Sequence, residues 1–490
     1  MLNGMYPEKH FYRFRSGGRT NIYGLSVVSI PISSSSSDAN SADYANDEYT
    51  QLFPKTKNLV FVSAFQSVVC LINASNHWKV VELPIGEDGE IVSLTAFTTN
   101  QTNLFLVLTV VNPKMKIEVD DEVIHDFALR IYSCQDILSD DGLVRLMRNV
   151  QVIKIDFTPT QVIYTTFEKR GQPLDCIIVC GFDGTIHLYT ETSRGKWDEE
   201  REQVYFPLLR ELAIDRTSIT ALEIRDINNK IIIAAGCNNG LLHLAIMERD
   251  ASTGLITTRV DLNASSIDLS SLISSMVVFQ SSSSKGDIHL VVTCAIERAI
   301  IFRSIDKKGL SSPFYLPEST QYDSVLCAHV ADVDWDAKKE VLIGTYGRQL
   351  LIYKESVNED NELEYYLASK HSYPHPIYGI QTVDLKEDYM CELIVNTQYG
   401  IHVEEPNGEV FNARLIELAR EFNTTTEPTE PPDPTESIDA DPAESIASAD
   451  PAEPPEPTES TELPSPTDPT DPTESIRLQD DNEVSIEQES

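Results

Sequence analysis

The sequence predicts an all-β fold: a seven-bladed β-propeller over residues 1–407, an amphipathic helix over 408–422, and a disordered acidic tail over 423–490. Three observations predict it. Short apolar runs rich in Val, Ile, Leu and Tyr recur from about residue 20 to 405 between Gly, Asn, Asp and Ser, with no sustained helical period. Two strand patterns recur in step, roughly 50 to 60 residues apart. From Thr424 the composition turns to Pro, Thr, Glu, Asp and Ser, which bury too little apolar surface to fold.

The clearer pattern reads Gly184-Thr-Ile-His-Leu-Tyr189, Gly240-Leu-Leu-His-Leu244, Gln349-Leu-Leu-Ile-Tyr353 and Gly400-Ile-His-Val403. Weaker copies are Ser67-Val-Val-Cys-Leu71, Ala128-Leu-Arg-Ile-Tyr132 and Ala299-Ile-Ile-Phe302. Seven anchors follow: Leu71, Ile131, Leu188, Leu244, Phe302, Ile352 and Val403. An earlier strand accompanies each, from Ile22-Tyr-Gly-Leu25 and Ile91-Val-Ser-Leu94 to Ser324-Val-Leu-Cys327 and Ile377-Tyr-Gly-Ile380. That spacing accommodates four strands with their hairpins, one propeller blade, and a blade buries both sheet faces only in a ring of its fellows. The sixth unit divides into strands near 324–332, 340–345, 349–354 and 364–371. The seventh lacks an outermost strand, because the chain turns helical after Val403. The segment near His10 to Arg15 is expected to supply it and hide a sheet edge, the other reading being an unattached N-terminal tail.

Ser33 to Asn46 reads as a mobile polar loop of the first blade. Glu409 to Phe422 gathers Phe411, Leu415, Leu418, Ala419 and Phe422 on one helical face, which either caps the propeller or docks onto a partner.

Charge narrows the function classes. The chain carries 77 acidic and 38 basic residues, a formal net charge of −39, which repels phosphate backbones and anionic lipid heads; neither nucleic acid nor direct membrane insertion is expected. The 67 residues from Thr424 hold about 20 acids and one base, Arg477, leaving roughly −20 on the rest. No stretch of 18 apolar residues exists, and Met1 to His10 lacks a basic-then-apolar signal pattern, so a cytosolic or nuclear protein is expected. The eight cysteines stand singly in apolar runs, as small buried hydrophobes would, and Cys176 with Cys180 has no accompanying metal-ligand pair.

One run has the spacing of chemistry. Asp332-Val-Asp334-Trp-Asp336-Ala-Lys-Lys-Glu340 places carboxylates at positions 1, 3, 5 and 9, as in the calcium loops between propeller strands of integrin α chains. Asp332, Asp334, Asp336 and Glu340 are therefore candidate calcium ligands. Ala337 replaces the glycine favoured at the sharp turn, and Asp384-Leu-Lys-Glu-Asp388 in the seventh unit has lost the pattern; the alternative is a hydrogen-bonded turn. His187, His243 and His402 fall in different blades and read as the opposite faces of their strands. Arg13, Arg15 and Arg19, beside Phe11, Tyr12 and Phe14, either meet an acidic partner or pack along strands. No nucleophile elbow, P-loop, dinucleotide fingerprint, HExxH or EF-hand is present, so no catalytic residue and no cofactor other than calcium is expected.

Two stretches resemble the kaptin family. Phe14-Arg-Ser-Gly-Gly-Arg-Thr-Asn21-Ile-Tyr23-Gly24-Leu is similar to its N-terminal signature. Gln321-Tyr-Asp323-Ser324-Val-Leu-Cys327, with Asp332-Val-Asp334 and Glu340-Val-Leu-Ile-Gly-Thr345-Tyr346-Gly347-Arg-Gln-Leu-Leu-Ile-Tyr353-Lys, is similar to its most characteristic block, and Ile186-His187-Leu188-Tyr189 agrees. The resemblance runs in patches from about 11 to 420. It implies a non-enzymatic subunit of the KICSTOR complex, partnered by an FG-GAP-type propeller protein and a very large subunit. It further implies recruitment of the GATOR complex to the lysosomal surface and restraint of TOR complex 1 when amino acids or glucose are scarce. F-actin in cell projections is a second implied partner.

Overall fold

Apolar residues on both faces of the second and third strands demand cover on both sides, and the computed structural model provides it by stacking seven antiparallel sheets in a ring. The structure describes residues 2–32 and 56–425, apart from the stretches 75–76, 86–88, 100–102, 120–121, 140, 170–171, 194, 201–216, 250–255, 258–264, 284–285 and 361. The Ser-rich segment 33–46 and the acidic tail lie outside the described residues.

Each blade runs from the axis outward. Blade 1 is Leu25–Pro31, Thr56–Ser63, Ser67–Ala74 and His77–Pro84; blade 2 is Glu90–Thr99, Asn103–Val119, Glu122–Cys134 and Val150–Ile155. Blade 3 is Pro159–Lys169, Gln172–Gly181, Ile186–Ser193 and Lys196–Glu199. Blade 4 is Ile219–Ile227, Lys230–Cys237 and Leu241–Arg249, with Ile256–Thr257 and Ser265–Asp268 sharing the outer position. Blade 5 is Ile273–Gln280, Ile288–Cys294, Ile300–Phe302 and Pro313–Tyr315; blade 6 is Val325–Ala331, Glu340–Thr345, Gln349–Val357 and Leu363–Ser372. All seven repeat anchors lie in third strands, which is why the repeat was legible.

The inner strands contact one another in cyclic order, blade 7 meeting blade 1. A shared irregularity fits them together. Six inner strands slip by one residue against their second strand, at Ile91/Ser93, Pro159/Val162, Ile219/Ala221, Ile273/Ser275, Val325/Cys327 and Ile377/Gly379. Such bulges bend and re-aim a strand. In three of them the hydroxyl at the bulge reaches the next blade: Thr160 to the Ile219 carbonyl, Thr220 to that of Ile273 and Ser274 to that of Val325, each at 2.7 Å. Close approach also needs glycine in the second strand. A Cβ on Gly236 would lie 2.5 Å from Ile273 Cγ2, and one on Gly344 2.6 Å from Ile377 Cγ2.

Blade 7 takes three strands from the C-terminal end, Ile377–Val383, Glu392–Thr397 and Gly400–Glu405, and its outer strand from the N-terminus, Glu8–Arg13. These last two pair antiparallel from Glu8↔Glu405 to Arg13↔Gly400. The closing strand begins two residues before the expected segment, and Arg15 lies beyond it in a short 3-10 turn, Arg15–Gly17. Ile22-Tyr-Gly-Leu25 differs from expectation, since only Leu25 is in a strand; Ile22 and Tyr23 form a turn. Gly24 follows that turn where a Cβ would stand 2.2 Å from Ser63 Oγ.

The C-terminal helix spans Gly408–Thr425. Asn407 Oδ1 accepts the Glu409 N–H at 3.0 Å, an N-cap that ends the strand-to-helix turn. Val410 and Phe411 pack against the core around Tyr6, Val333 and Trp335, with Phe411 edge-on to Trp335 at 5.3 Å. Leu415, Ile416 and Ala419 are exposed and Leu418 is half-buried, so of the expected apolar face Phe411 packs on the core and Leu415 and Ala419 do not, while the Phe422 side chain lies outside the described residues.

Candidate functional site

The acidic run lies between the inner and second strands of blade 6. Two residues in left-handed backbone, Trp335 (φ 59°) and Ala337 (φ 63°), turn the chain tightly there. Asp332 Oδ2 accepts the Ala337 N–H, Asp336 Oδ1 accepts the Lys338 N–H, and Glu340 Oε2 accepts the Val333 N–H, each at 2.9 Å. Asp332, Asp334 and Glu340 bring one oxygen apiece within 4.8 Å of one another, a spacing a cation can use. Asp334 and Glu340 are buried and Asp336 is half-buried. Burial, with Asp334 and Asp336 adding, pushes the Glu340 carboxyl up to about 8, against the pull of the Val333 N–H and Lys354.

The third strand of the same blade supplies a positive charge. Lys354 Nζ contacts Asp334 Oδ2, and lies 2.7 Å from Asp336 Oδ2 and 3.5 Å from Glu340 Oε1. Burial works against its charge, yet the hydrogen bonds to Asp334 and Asp336 outweigh burial and hold the ammonium above its usual range. Lys354 stands 14 residues beyond Glu340 in sequence, and only the strand register brings it to the loop.

Blade 7 has the same loop in other residues. Glu387 (φ 63°) and Tyr389 (φ 68°) occupy the two left-handed positions, Asp384 Oδ2 accepts the Tyr389 N–H at 2.8 Å, and Glu392 Oε2 accepts the Leu385 N–H at 2.7 Å. The turn is therefore retained in blade 7, with Asp384, Asp388 and Glu392 standing where blade 6 has Asp332, Asp336 and Glu340 and only the third position changed. Lys386 stands where blade 6 has Asp334, and contacts Glu405, which stands where blade 6 has Lys354. The ion pair is kept with its polarity reversed.

The three histidines lie in separate blades. His187 stacks on Phe157 with centroids 3.6 Å apart and reaches Asp183 at 3.0 Å and Glu199 at 2.8 Å; His402 faces Phe11 at 4.5 Å. The N-terminal Arg13, Arg15 and Arg19 are exposed; Arg15 Nε is 3.3 Å from Glu82 Oε2, and the Arg19 guanidinium lies 5.4 Å from the Phe65 ring centroid. Seven of the eight cysteines are buried.

The central channel contains a cavity of about 560 Å³ lined by inner strands of blades 1, 4, 5, 6 and 7. Its polar groups answer one another. Glu223 Oε1 accepts from Arg225 Nε at 2.6 Å, and His329 Nε2 accepts the Thr382 N–H at 3.2 Å, which fixes a neutral ring. Burial holds the His329 imidazole down at about 4 and pushes the Cys327 thiol up to about 12. A thiol held protonated is a poor nucleophile.

Turns between second and third strands all open on one end of the ring. There Phe182, Ile296, Tyr346 and Tyr399, from blades 3, 5, 6 and 7, are 53%, 80%, 45% and 37% exposed. Sequence reasoning overlooked them, because each is a single apolar residue in a polar turn.

Residues 7–413 match the protein family described as KICSTOR complex protein kaptin. The chain belongs to the kaptin family. The mouse KICSTOR complex protein kaptin is 28% identical over 321 residues, which cover 64% of this chain and 73% of the mouse protein. Among solved structures, Sqt1 of Saccharomyces cerevisiae aligns over 81% of this chain and 98% of its own at 13% identity, with a TM-score of 0.42. A chain of BBS1N in complex with ARL6DN aligns over 72% and 89% at 12% identity, with a TM-score of 0.41. Neither likeness bears on function.

Proposed function

We propose that this chain is a non-enzymatic scaffold subunit of a KICSTOR-type assembly. In this reading it works with an FG-GAP-type propeller protein and a very large subunit to recruit the GATOR complex to the lysosomal surface, and so restrains TOR complex 1 when amino acids or glucose are scarce. The observation that carries the reading is kaptin-family membership across the whole described ring. A closed propeller suits the task, since partners dock on its turns without disturbing a core stitched blade to blade. The central cavity supports the non-enzymatic part: its carboxylate and imidazole are engaged by neighbours, and its thiol is held protonated.

Affinity purification of the full chain from starved cells tests this directly. The expected result is recovery of the FG-GAP-type partner and GATOR subunits; an intact protein that recovers neither, and cosediments with actin filaments instead, overturns it. Charges placed on the exposed turn end, Ile296→Asp with Tyr346→Asp, are expected to lower that recovery at an unchanged melting temperature.

A further inference from the structure

We infer that Lys354 is the resident cation of the blade-six loop: a tethered ammonium holds the place that a divalent ion takes in acidic loops of this spacing. The inference is independent of the partner assignments above.

Three observations carry it. First, the ammonium stands among the carboxylates, touching Asp334 and lying 2.7 Å and 3.5 Å from Asp336 and Glu340. A calcium ion wants six to eight oxygen ligands converging on one point. Here one approach to the fully buried Asp334 is filled by a side chain anchored in the next strand but one.

Second, the carboxylates beside Asp334 already have structural duties. Asp332, Asp336 and Glu340 each give an oxygen to a backbone N–H of their own loop. Asp384, Asp388 and Glu392 do the same in blade 7, so these bonds build the turn whether or not an acid stands at the Asp334 position.

Third, the one acid peculiar to blade 6, Asp334, is matched in blade 7 by Lys386, and its partner Lys354 by Glu405. What the two blades share is a loop-to-third-strand ion pair, in either polarity; a cation-binding set would not survive that reversal. Among the described residues Asp332 Oδ1 and both oxygens of Asp334 accept no hydrogen bond, Asp334 Oδ2 meeting Lys354 as an ion contact, but Glu392 Oε1 in blade 7 lacks a hydrogen bond equally, in a loop whose third position is Lys386. The residues therefore do not fit a resident calcium ion.

The test uses the full chain, with melting and calorimetry in EDTA and in millimolar calcium. Wild type is expected to melt at one temperature in both and to give no calcium heat. Lys354→Met is expected to melt several degrees lower in EDTA, and to regain that loss with a measurable calcium heat once the acids are uncovered. Asp334→Lys with Lys354→Glu, which copies the blade 7 polarity, is expected to melt near wild type and to ignore calcium. Calcium stabilisation of wild type overturns the inference, and so does a Lys354→Met protein that matches wild type in EDTA. Should Lys354→Met fail to fold, the reversed pair decides: recovery supports the inference, and an equally unfolded protein overturns it.

Discussion

The phenol of Tyr23 donates a 2.5 Å hydrogen bond to the carbonyl of Thr220, 197 residues away. Tyr23 belongs to the turn leading into blade 1 and Thr220 to the inner strand of blade 4, so the bond spans the central channel at the end where inner strands begin. Burial pushes the phenol well above its usual range, keeping it a donor at any physiological pH. Its neighbour Asn21 reaches sideways to the Val92 carbonyl of blade 2 at 2.8 Å. The N-terminal signature is thus a stopper across the ring.

Tyr23→Phe removes that bond and leaves a carbonyl without its donor. A loss of about 1 to 3 kcal/mol is expected, the usual range for one buried group left unpaired. Urea unfolding against wild type measures it, and a change in midpoint without a change in slope marks a loss of stability alone.

Deletion of residues 1–16 removes the outer strand of blade 7, with buried Tyr6 and Phe14, and uncovers the Gly400–Glu405 edge. An open edge templates association. The truncated chain is expected to melt far below the full one and to aggregate, read by calorimetry and light scattering; an unchanged melting temperature would show that the strand is dispensable.

Glu392 provides a pH dependence. Burial pushes its carboxyl up to about 7, so the native state holds the proton up to about that pH, whereas the unfolded chain releases it near 4.3. Its contribution to stability is complete below the unfolded value and lost as pH rises through 7. Glu392→Gln keeps a neutral acceptor for the Leu385 N–H and abolishes the titration. Relative to wild type, the variant is expected to gain on the order of 2 to 3 kcal/mol between pH 5 and pH 8, at about 1.4 kcal/mol per pKa unit. Equal pH slopes in denaturant titrations of the two proteins would contradict this.

Phe411 is the anchor of the C-terminal helix, through Trp335. Phe411→Ala is expected to release the helix while leaving the blades intact, because beyond the first turn Leu415 and Ile416 already face solvent. Hydrogen exchange would show amide protection lost over 408–425 and kept over 340–405.

Much of this fold was legible because third strands carry near-continuous apolar runs, most of them behind a glycine or small residue, as in Gly240-Leu-Leu-His-Leu244. The inner strands were legible as a recurring motif but their six bulges were not, since a slipped residue such as Thr220 looks like any other strand position until its hydroxyl is seen to reach Ile273. The acidic run was legible as a spacing, but its counter-ion was not: Lys354 meets Asp334 through the pairing Val341↔Tyr353, a relation between strands and not along the chain. For the same reason the seventh loop looked lost. Its turn depends on two left-handed residues and a capping Asp, and Glu387, Tyr389 and Asp384 fill those roles although Lys386 breaks the alternation of acids.

The pairing of Glu8–Arg13 with Gly400–Glu405 also constrains how the chain is made. On a ribosome the first strand emerges nearly 400 residues before its partner, a wait of roughly 20 to 80 s at about 5 to 20 residues per second. Throughout that time six blades form an open stack, with one unsealed flank and an N-terminal strand of six residues that has nowhere to lie. A nascent chain of this kind calls for chaperone cover until the last sheet is made. Any prematurely terminated product that ends before Gly400 keeps that flank unsealed, because the partner of Glu8–Arg13 is never made.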